Sequence, residues 1–182
     1  MFNCGIIKEK RRFCMGIYFI SDTHFDDKNI LIYSRPEFKN IDEMNKKIIE
    51  NWNAIITDED IVYHLGDVGN YELLKQLKGK IIVILGNHDN AEKFSEAVPN
   101  IKFYDKPIIE KFMFLSHEPI SFLPKEIPYL NIHGHTHQFD YRAGTSLNWY
   151  DGNRYFNVSC EKIGYKPISI EEIIKIIGYE KL

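Results

Sequence analysis

Five short polar blocks hold most of the residues in this sequence that are able to do chemistry. They are Ser21-Asp22-Thr23-His24, Gly66-Asp67, Gly86-Asn87-His88-Asp89, Ser116-His117 and His133-Gly134-His135-Thr136-His137. Six of the seven histidines (His24, His88, His117, His133, His135 and His137) lie in them. A lone histidine after a strand is ordinarily a packed or surface residue, and Gly-Asp is a common turn. The recurrence of Asp, Asn and His after successive strands is poorly explained by packing alone. Imidazole, carboxylate and amide oxygen without a thiolate suit Mn, Fe, Zn, Ni or Co rather than a structural zinc, and the set reads as a two-metal site. Asp22 and His24 are two apart, so an extended backbone would point both to one side, and His135 and His137 repeat that spacing. Gly66, Gly86 and Gly134 each precede a candidate ligand, where a missing side chain permits tight turns and close approach. His64 and His133 sit just inside strands and read as core or supporting residues.

The elements that must carry these blocks are legible from periodicity. Strands are expected at Gly16–Ile20, Ile61–Leu65 and Ile81–Leu85, each stopped by one of the blocks. Ile41, Met44, Ile48, Ile49, Trp52, Ile55 and Ile56 fall at helical spacing over 41–56. Short helices are expected at Tyr71–Leu77 and Ala91–Val98. Strand-like runs follow at Lys102–Tyr104, Pro107–Ile109, Phe112–Leu115, Tyr129–Ile132 and Tyr155–Val158, and they read as a later meander. Ser169 with Glu172 three residues on forms a capping box that opens a last helix ending at Gly178. Early alternation of strand and helix predicts an α/β domain, and in open α/β sheets sites form at the carboxyl ends of strands.

Taken in order, Asp-x-His, Gly-Asp, Gly-Asn-His-Asp, a lone His and Gly-His-x-His resemble the calcineurin-like metallophosphoesterases. The resemblance spans residues 15–178, and Tyr165-Lys166-Pro167-Ile168-Ser169 is similar to the small single-domain bacterial and phage members. It implies a four-layer sandwich of two mixed β-sheets flanked by helices, an α/β (α+β) fold. By the same resemblance Asp22, His24 and His137 would hold one divalent metal ion, Asn87, His117 and His135 a second, and Asp67 would bridge them. His88 would meet the leaving-group oxygen, and Asp89 would orient His88 or the adjacent loop. The implied activity is hydrolysis of a phosphomonoester or phosphodiester, by in-line attack of a hydroxide bridging the metals, with Mn²⁺ favoured over Fe, Zn, Ni or Co. Two divalent ions offset by Asp22, Asp67 and that hydroxide leave about one positive charge for a phosphoryl oxygen.

Two departures stand out. Val68-Gly69-Asn70 follows Asp67 in place of the Asp-Arg-Gly of the protein Ser/Thr phosphatases, which argues against that activity. Asp26-Asp27 stand where small members continue with Gly-His, which puts an outer histidine in doubt but no expected ligand.

Composition bounds the remaining readings. The chain has 182 residues, 44% of them hydrophobic and 27% charged, with a formal net charge of -3. One domain over 15–182 is expected, with 1–14 a loosely ordered basic tail or an upstream extension of the reading frame. The near-neutral charge supplies no global field for a polyanion, so a small soluble phosphate ester is the favoured substrate. A nuclease is the competing enzyme reading. A non-catalytic scaffold on the same fold would lack the catalytic histidine and metal ligands, all present here. Apolar runs fall far below the ~20 residues of a membrane span. Cys4, Cys14 and Cys160 lack metal or disulfide spacing and predict free thiols in a reducing, cytoplasmic setting, with Cys160 buried. Arg35, Arg142 and Arg154 read as solvated loop charges, and Trp149, Tyr150 and Tyr155 as core and rim packing.

Overall fold

Residues 17–20, all aliphatic or aromatic, form the strand β1 (Ile17–Ile20) on which the site is built. A computed structural model describes residues 15–121, 123, 129–139 and 154–178. The expectations for 1–14, Arg142, Trp149 and Tyr150 lie outside these. The order continues α1 (Lys28–Tyr33), α2 (Ile41–Ile55), β2 (Ile61–His64), a 3₁₀ turn (Tyr71–Gln76), β3 (Lys80–Ile84), α3 (Ala91–Ala97) and β4 (Lys102–Tyr104). Then follow β5 (Ile108–Glu110), β6 (Met113–Leu115), β7 (Leu130–His133), β8 (Tyr155–Asn157), α4 (Cys160–Ile163), β9 (Ile168–Ser169) and α5 (Ile170–Ile177).

The strands form two mixed sheets, as expected. One runs β4-β3-β2-β1-β9 and the other β5-β6-β7-β8. In the first, β1 to β4 pair in parallel and only β9 is antiparallel to β1. The expected meander is corrected in the second sheet. Only β5 and β6 are antiparallel, while β6–β7 and β7–β8 are parallel. Parallel neighbours need a long crossover, and segments 116–129 and 134–154 provide one each. Both sheets therefore deliver polar blocks at carboxyl ends. The two sheets meet where Ser21, just after β1, bridges to Ser159, just after β8, with Ser21 N–H donating to Val158 O at 2.9 Å.

The apolar stripe of α2 buries Met44, Ile48 and Trp52 in the same core as Phe19, Val62 and Val83. Asn40 caps α2, and Ser169 and Glu172 close a reciprocal capping box on α5. Three short elements went unexpected: α1, α4 and β9. Each is too short to show a period, and α1 is started by the Asp27 side chain accepting from Asn29 N–H. Among the described residues, no helix is long and apolar enough to cross a membrane. Cys160 is a buried free thiol.

Candidate metal centre

Pairing between the first two parallel strands continues into the loops that follow them. Asp22 N–H donates to Gly66 O at 2.9 Å, His24 N–H to Asp67 O at 3.0 Å and Phe25 N–H to Val68 O at 2.8 Å. Thr23 Oγ1 donates to Val68 O and stands 2.9 Å from His64 Nε2. His64 is fully buried, and that burial, chiefly, lowers its pKa to about 3, so it is a neutral support beneath the loop. His133 is likewise buried and held neutral, its pKa lowered to about 4. Both keep the supporting role expected of them.

Two groups of donors converge at this rim. Ligand-capable atoms of Asp22, His24 and His137 lie within 4.8 Å of one another, as do those of Asp67, His117 and His135. Asp67 stands between the groups, its Oδ2 3.6 Å from His24 Nε2 and 3.3 Å from His117 Nε2. Asn87 Oδ1 lies 2.9 Å from His117 Nε2 and 3.0 Å from His135 Nδ1. Each of the seven residues expected to bind metal is therefore at one centre.

The route to that convergence differs from the expected one. Asp22, His24, His135 and His137 are not extended; their φ values are 58°, 46°, 68° and 47°, and Asp67 has 55°. The left-handed region is uncommon for residues other than glycine, and such backbone is retained where the surroundings over-determine it, often at functional sites. Close approach is real at all three expected glycines, and a Cβ on Gly66 would overlap the Gly86 backbone. A Cβ on Gly86 would overlap Asp67 Oδ1, and one on Gly134 would overlap Ser21 Oγ and Asp22 Oδ2.

His88 is exposed and lies in a turn, where its ring packs 5.8 Å from that of His24. Asp89 acts on the adjacent loop, accepting from the backbone N–H groups of Asp67, Val68 and Gly86 at 2.8, 3.1 and 2.8 Å. Asp26 accepts from Asn45 Nδ2 at 2.6 Å and Asn70 Nδ2 at 2.5 Å, bracing the loop. Asp27 places Oδ2 3.4 Å from His24 Nδ1. The Asp26-Asp27 departure thus supplies a carboxylate behind His24.

Two of the arginine expectations are corrected. Arg35 is 0% exposed and Arg154 9%. Arg154 Nε donates to Tyr129 O at 3.2 Å, which ties the start of β8 to the start of β7. Arg35 lies beneath the Asp22–His24 loop, where Nη1 donates to Thr23 O at 2.9 Å and Nη2 to Asp22 O. Its Nε donates to Glu161 at 2.7 Å. Sequence reading also missed Glu161, which accepts from His137 Nδ1 at 3.0 Å. Nothing near Glu161 in the sequence sets it apart from an acidic residue in a first helical turn.

The residues fit divalent cations on their own hydrogen bonding. His24 Nε2 is buried with no hydrogen-bond partner and faces Asp67. His117 Nδ1–H donates to Leu65 O at 2.7 Å, which turns Nε2 toward two oxygens, Asn87 Oδ1 and Asp67 Oδ2. An acceptor nitrogen aimed at acceptors calls for a proton or a metal between them. Burial opposes charge on His117, yet the carboxylates of Asp67 and Asp22 outweigh it and raise the pKa to about 9. Burial likewise opposes the Glu161 carboxylate, but His137 and Arg35 hold its pKa at about 2.

Comparison with known proteins agrees with this geometry. The calcineurin-like phosphoesterase superfamily domain matches residues 15–158. An uncharacterized protein of Methanocaldococcus jannaschii, MJ1445, is 40% identical over 174 residues, covering 91% of this chain and 93% of its own. The crystal structure of AQ665 from Aquifex aeolicus, a protein of unknown function, superposes with a TM-score of 0.68 at 32% identity. That match covers 90% of this chain and all of the other. Fold and site together define a phosphoesterase-type α/β domain with metal-binding groups. The chain belongs to the calcineurin-like phosphoesterase superfamily.

Proposed function

We propose that this chain is a dinuclear, metal-dependent phosphoesterase acting on a small phosphomonoester or phosphodiester. The observation that carries the reading is the position of Asp67 Oδ2 between His24 Nε2 and His117 Nε2. One carboxylate within reach of two donor groups is what a pair of ions needs as a bridge. Asp22, His24 and His137 would hold one ion, Asn87, His117 and His135 the other. Two such ions lower the pKa of water and stabilise the attacking and leaving oxygens of an in-line displacement.

The chain's own residues then orient the substrate. His88, exposed beside His24, donates a proton to the departing oxygen, and the tie from its backbone to Asp67 keeps it at the rim. Mn²⁺ is the proposed ion, supported by hard and borderline donors without thiolate. The buried free thiol of Cys160 supports a reducing, cytoplasmic setting.

The test is hydrolysis of p-nitrophenyl phosphate against bis-p-nitrophenyl phosphate by the Mn²⁺-loaded chain, with single-stranded DNA alongside. Turnover of either small ester supports the reading. Cleavage of DNA alone would make the chain a nuclease, and no turnover with any of the three would leave a binding scaffold.

A further inference from the structure

The two donor groups are backed differently. His117 Nδ1 donates to a neutral backbone carbonyl, that of Leu65. His137 Nδ1 donates to a carboxylate, Glu161, whose same oxygen takes the Arg35 Nε hydrogen bond at 2.7 Å. The guanidinium is completely buried and spends its other donors on the carbonyls of Asp22 and Thr23 and on the sulfur of Met44. One buried pair therefore grips the Asp22–His24 group twice, through the ring of His137 and through the backbone that carries Asp22 and His24. No bond of this pair reaches Asp67, His117 or His135 among the described residues.

We infer that Arg35 and Glu161 are positioning residues for one metal ion only, the ion held by Asp22, His24 and His137. The inference rests on the two-metal reading proposed above. Glu161 holds the proton of His137 on Nδ1, so Nε2 presents its lone pair toward Asp22 Oδ1, 3.9 Å away. A carboxylate behind a ligating imidazole also raises its basicity, and outer partners of this kind are worth ~10–100-fold in metal affinity. Arg35 balances the charge of Glu161 and holds Asp22 and Thr23 by their carbonyls. The left-handed φ of 58° at Asp22 is thereby braced from below.

A buried ion pair with a merely structural role gives a different result. Breaking such a pair weakens the whole fold, so both ions would suffer together. The experiment is a titration of the full metal-free chain with Mn²⁺, read by calorimetry and by metal content after dialysis, for wild type, Glu161→Gln and Glu161→Leu. Glu161→Gln keeps the shape and remains informative if Glu161→Leu fails to fold. The wild type should bind two ions. In the variants one ion should weaken by ~10–100-fold while the other stays within about twofold. In the Zn²⁺-loaded chain, the Nδ1 proton of His137 should also move upfield in the nitrogen-resolved spectrum of Glu161→Gln, because its acceptor has lost its charge. Wild-type affinity for both ions, or an equal loss of both, would overturn the positioning role. A wild-type chain that binds fewer than two ions would overturn the two-metal reading, and this inference with it.

Discussion

The backbone N–H of His88 donates to Asp67 Oδ1 at 3.0 Å, which leaves Asp67 Oδ2 facing the two donor groups. The side chain of His88 is not needed for that bond. His88→Asn should therefore keep both metals and lose only chemistry. General acids contribute typically ~10²–10⁴-fold, and kcat should fall in that range. The loss should be smaller for p-nitrophenyl esters, whose leaving group needs little protonation, than for alkyl esters. Equal losses on both would make His88 a phosphate-positioning residue, and loss of a metal would make it a ligand.

Removal of the bridge should be worse than removal of a single-site ligand. Asp67→Asn withdraws the only carboxylate among the described residues that reaches both His24 and His117, whereas His24→Ala empties one corner of one group. Metal analysis after dialysis should find both ions weakened in Asp67→Asn and one retained in His24→Ala. Two ions retained in the Asp67 variant would show that the bridge is elsewhere.

Metal and proton should compete at His117. Its pKa is raised to about 9 by Asp67 and Asp22 against the opposing effect of burial, and only the unprotonated Nε2 can bind an ion. At pH 7.5 binding should release about one proton from this ring, so the calorimetric enthalpy should vary with the ionisation enthalpy of the buffer. Affinity should rise with pH by up to about tenfold per unit and level off above about 9. Absence of any buffer dependence at pH 7.5 would contradict this assignment.

Gly134 packs its bare Cα against Ser21 and the Asp22 carboxylate. Gly134→Ala should displace Asp22, and a misplacement of about 1 Å is worth about 10²-fold in rate. Steady-state kinetics at saturating Mn²⁺ measure this directly. A fully active variant would mean that Asp22 does not need its present position.

The ligand blocks were legible because each follows a strand and concentrates rare donors in two to five residues. The strands carrying them were legible because apolar runs end abruptly at Gly, Asp or Ser. What the sequence did not display is pairing across the chain. Arg35 and Glu161 are 126 positions apart, and each alone resembles an ordinary surface charge. The parallel order of β6, β7 and β8 was hidden for a similar reason, since strand direction depends on where a long connection returns. Convergence of Asp22 with His24 was anticipated from extended geometry, but left-handed backbone produces it. The positive φ values are imposed by the neighbouring loop, to which Asp22, His24 and Phe25 are hydrogen-bonded.

The central claim is that two ions act together on a phosphate ester, and one titration addresses it most directly. Metal-free chain is given increasing equivalents of Mn²⁺, and initial rates are recorded with bis-p-nitrophenyl phosphate and p-nitrophenyl phosphate at each step. Hydrolysis should stay low through the first equivalent, rise with the second, level off there and vanish on adding a chelator. Full activity at a single equivalent, or no hydrolysis of either ester at any loading, would contradict the account.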